Sequence, residues 1–62
     1  MPLEIIATTD GHFIGQRIEP TDRPILLQRG TQTVFFMPDR TQDIGGGVVR
    51  LSNASYIIDA KE

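Results

Sequence analysis

The chain has no cysteine and no tryptophan, and its aromatic side chains come to three phenylalanines and one tyrosine. Without cysteine, disulfides and thiolate metal sites are excluded together. One histidine among scattered carboxylates does not supply a zinc site either. No apolar run nears the ~20 residues that a membrane-spanning helix needs. The opening Met1-Pro2-Leu3-Glu4 lacks the basic stretch and apolar core of a secretory signal. Charge of one sign is missing too. Eight acidic and six basic residues leave a net charge of −2, whereas a nucleic-acid surface calls for a basic excess on one face. Nowhere does the pattern repeat at helical spacing.

These absences leave one domain over residues 1–62, with a marginal core. A chain this short buries only about 60% of the surface its unfolded form exposes. Small proteins offset that with disulfides, a metal or a partner subunit, and here only a partner or a very regular fold remains. The sequence is expected to be a complete small cytoplasmic protein, of the kind that viruses and mobile elements encode. Five of the six bases are arginine. Arginine favours partly buried bidentate contacts, although a G- and C-rich genome produces the same bias.

The pattern that is present belongs to strands. Residues 32–37 hold two of the three phenylalanines, and all four from Val34 to Met37 are apolar. Bounded by Gly30 and Pro38, the run predicts a strand buried on both faces. With residues 25–28 it forms a hairpin around Arg29-Gly30-Thr31. Ile25, Leu27, Val34 and Phe36 then share one face, and Leu26, Phe35 and Met37 share the other with Gln28 and Thr33. Because both faces are largely apolar, this hairpin calls for covering twice, by the core and by a curled sheet or second subunit.

Asp10-Gly11 between residues 3–8 and 12–18 is a strong hairpin signal. A two-residue type I′ turn there gives Gly11 a positive φ and places Glu4 opposite Arg17 as a cross-strand ion pair. Leu3, Ile5, Ala7, Ile14 and Ile18 face the core in that register. Ile6, Phe13 and Arg17 fall on the solvent side, where Phe13 either shields Gly15 or joins a small apolar patch for a partner. Pro20 and Pro24 mark a stiff loop, and residues 38–47 form the longest loop, with Gly45-Gly46-Gly47 flexible or closely approached. A third hairpin pairs residues 48–51 with 56–60, Leu51 opposite Tyr56, with Val49, Leu51, Tyr56 and Ile58 on one apolar face. Arg50 and Asp59 become diagonal neighbours of opposite sign. The expected fold is therefore all-β: a six-stranded antiparallel barrel or compact sandwich of SH3-like or Sm-like size, built from three hairpins.

Catalytic chemistry finds little footing. Ser52, Ser55 and the threonines have no base nearby in sequence and no nucleophile-elbow pattern. The triple glycine has no Gly-Lys-Ser/Thr after it and opens no helix, so it lacks phosphate-loop geometry. Asn53-Ala54-Ser55 is formally a glycosylation acceptor but reads as a turn. His12 reads as an exposed turn histidine, with a pH-sensitive or ligand contact as the alternative.

The expectation is a non-catalytic interaction or assembly protein, homo-oligomeric and without cofactor or metal, that is an assembly part or an inhibitor of a larger protein. The alternative is a small nucleic-acid-binding barrel. Partner contacts are expected at the Ile6, Phe13 and Arg17 face, which combines residue types enriched at hot spots. The loop carrying Asp39, Arg40 and Asp43 ranks second, because it has charge and no anchor.

Overall fold

Side chains alternate across a strand, and that alternation decides which residues form the core. The computed structural model describes residues 2–19 and 24–62. Seven strands follow in order: β1 (Leu3–Thr8), β2 (Arg17–Ile18), β3 (Ile25–Arg29), β4 (Gln32–Phe36), β5 (Arg40–Gly45), β6 (Val48–Ser52) and β7 (Ile57–Lys61). Five of them make one antiparallel sheet in the order β2-β1-β7-β6-β5, and β3 and β4 pair separately as a hairpin. The all-β class matches expectation. The strand number and the closed barrel do not, since there are seven strands in two sheets and no closure. No helix among the described residues is long and apolar enough to cross a membrane.

The core lies between the two sheets. Leu3, Ile5, Ile18, Leu51, Ile58 and Ala60 come from the larger sheet, and Ile25, Leu27 and Phe36 from the inner face of the hairpin. The hairpin register is the expected one, Ile25 opposite Phe36 and Leu27 opposite Val34. Gly30 turns the chain at φ 59° in the first central position, as a type II′ turn requires. The outer face departs from expectation. Nothing among the described residues covers it, and Phe35 is 73% exposed, Leu26 43% and Met37 47%.

The first hairpin keeps its predicted register only at its open end, where Leu3 faces Ile18 and Glu4 faces Arg17. No ion pair joins Glu4 to Arg17; the described pairs are Asp10–His12 and Arg50–Asp59. Nor does a two-residue turn form at Asp10-Gly11. Gly11 does take φ 76°, but in a turn closed by its N–H on the Thr8 carbonyl. A second turn follows, with the Gln16 N–H on the Phe13 carbonyl (3.1 Å) and Gly15 at φ 91°. A glycine in that third position is what a type II turn demands. Both Gly15 and Gln16 then bond Ile5, through its carbonyl (2.8 Å) and its N–H (2.9 Å) respectively. This is a bulge, and it cuts the ladder to two pairs. A second irregularity, between Ile5 and Ala7 where β1 meets β7, takes Ile6 out of alternation. The predicted faces hold at Leu3, Ile5 and Ile18, which are buried, and at Ile6 and Arg17, which are exposed, but Ala7 and Ile14 are exposed and Phe13 packs against the core.

The predicted long loop at residues 38–47 is mostly strand. β5 pairs along β6, and Gly46 and Gly47 (φ 67° and 79°) form the two-residue turn between them. Positive φ at both central positions is the type I′ signature, which makes the triple glycine a hairpin signal. In the last hairpin Leu51 faces Ile58, two residues from the expected partner, because Asn53 claims a four-residue turn. Its side-chain carbonyl accepts the N–H groups of Ser55 and Tyr56, both at 2.8 Å. A two-residue shift preserves the faces, and it turns Arg50 and Asp59 into direct partners joined by two bonds of 2.8 and 3.1 Å. The stiff loop expected around Pro20 falls on residues 20–23, outside the described residues.

One side chain bridges the gap between the sheets. In a two-residue hairpin the turn-flanking pair is hydrogen-bonded and pairs alternate from there, so Leu26 and Gln28 direct their backbone groups to the outer edge of β3. The Gln16 amide meets both, donating to the Leu26 carbonyl (2.7 Å) and accepting from the Gln28 N–H (2.8 Å). Gln16→Ala removes both bonds. The expected cost is about 1–2 kcal/mol in chemical denaturation, with faster hydrogen exchange at the Gln28 amide. An unaltered Gln28 exchange rate contradicts this role.

Candidate functional site

The outer face of the β3–β4 hairpin is uncovered by any described residue, and a cleft opens on its inner side. The cleft encloses about 320 Å³ between the hairpin and the loop of residues 9–15. Leu27, Val34 and Phe36 floor it, and Phe13 and Tyr56 wall it. Phe13 reaches this position through a left-handed backbone, φ 68°, uncommon for a bulky side chain and typical of residues held at ligand sites. Tyr56 meets Phe36 edge-on, with centroids 6.0 Å apart.

The rim carries Asp10, His12, Arg29 and Gln32. Asp10 is held at one oxygen: its Oδ1 accepts from the Tyr56 hydroxyl and from the His12 N–H (3.0 Å), while its Oδ2 lies 3.2 Å from His12 Nδ1. The Tyr56 hydrogen bond, followed by the His12 backbone bond, holds the Asp10 carboxyl below its ordinary pKa. Tyr56 moves the other way, raised by burial first and by the bond to Asp10 second. Arg29 is exposed and makes no ion pair with any described residue. No cluster of three or more metal-ligating side chains occurs among the described residues.

The residues expected to bind a partner are scattered. Ile6 is 43% exposed on β1, at the bulge. Phe13 lies across the fold, against the core and in the cleft wall. Arg17 borders the gap between β2 and β3. The three do not form one face, because the loop of residues 9–15 turns Phe13 inward. Asp39 and Arg40 sit at the corner between β4 and β5, where the Asp39 N–H bonds the Ser52 carbonyl (2.8 Å). Asp43 stands at the far end of β5, its Oδ1 accepting the Gly45 N–H (3.0 Å).

Sequence reasoning missed Tyr56, Asp10 and Arg29 as neighbours. Asp10 and Tyr56 are 46 positions apart, and no local spacing links them. No protein-family profile matches the chain, nor does any curated protein or solved structure.

A depressed carboxyl pKa contributes stability that is present above the unfolded value and lost as pH falls through the folded one. Tyr56→Phe should raise the Asp10 pKa toward its ordinary value and shrink the loss of stability on acidification. Carboxyl-carbon NMR titration reads both forms. An identical Asp10 titration in the variant contradicts the pairing.

Proposed function

We propose that this chain is a non-catalytic interaction or assembly protein that works as a homo-oligomer, and that the outer face of the β3–β4 hairpin is the surface where copies meet. The observation that carries this is the exposure of Leu26, Phe35 and Met37 on one face of a two-stranded sheet. Isolated two-stranded sheets are marginal in water. Their remaining neighbours on that face, Gln28 and Thr33, are uncharged, so the face carries no charge although 23% of the chain is charged. A charge-free apolar patch offers no electrostatic complementarity to an acidic or basic partner, and it is complementary to itself. Contact about a two-fold axis buries the same side chains on both copies. The lack of arginine and lysine on this face also counts against the nucleic-acid alternative, which needs phosphate contacts.

Phe35→Ser tests this, because an exposed side chain can be changed without touching the core. Sedimentation equilibrium of the wild type at micromolar concentration should give a multiple of 6.9 kDa, and the variant should run as a folded monomer. A monomeric wild type, or a variant that associates as before, overturns the proposal.

A further inference from the structure

From the cleft behind the hairpin we infer that the protein holds a small apolar carboxylate, with its aromatic or branched body among Phe13, Phe36 and Tyr56 and its carboxylate on Arg29. The inference goes beyond self-association and uses the opposite face of the hairpin. The volume of about 320 Å³ lies at the low end of ligand pockets, suited to one ring or branched side chain rather than an extended molecule. Phe13 and Tyr56 beside a floor of Leu27, Val34 and Phe36 suit an apolar body, which leaves no polar group unpaired when it is buried there.

Charge at the rim selects the rest of the ligand. Oδ1 of Asp10 is taken up by the Tyr56 hydroxyl and the His12 N–H, and Oδ2 stands 3.2 Å from His12 Nδ1, so a cationic ligand would compete with neighbours already placed at that carboxylate. Arg29 is the charged rim group without a described partner. Its planar fork matches a carboxylate with two parallel hydrogen bonds. Phe13 fits the same picture, since its left-handed backbone turns the ring into the cleft. Such a ligand could be a free small acid or the C-terminus of a peptide ending in an apolar residue, because both present the same chemistry.

Amide NMR titration with phenylacetate and with N-acetylglycylphenylalanine distinguishes the two sources, each probe run beside its neutral amide. The expected result is a set of shifts at Phe13, Arg29, Gln32 and Tyr56 with at least one acid. Binding should weaken about tenfold or more for the neutral amide and for Arg29→Gln. The tighter acid identifies the source. Silence from both acids at millimolar concentration overturns the inference, as do equal affinities for acid and amide. Unchanged binding in Arg29→Gln overturns it too. Should that variant fail to fold, the acid-to-amide comparison on the wild type decides alone. Phe35→Ser, altered on the other face, should bind as the wild type does, which keeps this result separate from the oligomer test.

Discussion

The Gln16 side chain does for β3 what a neighbouring strand would otherwise do. Its amide occupies the backbone groups of Leu26 and Gln28, so an edge that would be open in water has a partner. That matters because the hairpin supplies Ile25, Leu27 and Phe36 to a core with few members. A two-stranded sheet has little stability of its own, and these residues stay buried only if the hairpin is held in place. Gln16 is itself placed by the bulge at Gly15. On the other strand Asn53 ties the last turn to the Met37 carbonyl, just past β4, at 3.3 Å. The edge of β3 and the end of β4 are thus each held by a side-chain amide, and the core closes without a barrel ladder.

Holding the hairpin this way gives its two faces different fates. The inner face is shared between core and cleft, since Leu27 and Phe36 are buried while their exposed fringe floors the opening beneath Phe13 and Tyr56. The outer face meets nothing among the described residues. A chain without disulfides has no covalent means of offsetting that exposure, and the proposed association of copies would remove it. The two proposals therefore rest on one element and stay physically separate.

Where local chemistry dominates, the sequence was a good guide. The second hairpin was legible in its register and in which residues share a face, because a two-residue turn with glycine fixes register and alternation fixes the faces, though not in the cover expected over its outer face. Arg50 and Asp59 were recognised as a pair, and their direct contact needed only the Asn53 turn to be counted correctly. The first hairpin was legible only at its open end, where Leu3 meets Ile18 and Glu4 meets Arg17. Asp10-Gly11 is a strong turn signal, but Asp10 spends its carboxylate on His12 and Tyr56, and Gly15 offers a second turn that a local count does not weigh. From there the left-handed Phe13 could not be foreseen, and with it went the expected Ile6, Phe13 and Arg17 face. The cleft was illegible for a different reason: it joins residues 10, 29 and 56, which come together only once the sheets have packed.

The outer face of the hairpin is where copies are proposed to meet. The most direct measurement is an isotope-filtered NOE experiment on a sample mixing labelled and unlabelled chains, at a concentration where the protein is associated. Contact through this face should give intermolecular NOEs from the Phe35 ring to the Leu26 and Met37 methyl groups. An associated sample in which those contacts are missing, or in which the intermolecular NOEs come from Phe13 and Tyr56 instead, would contradict it.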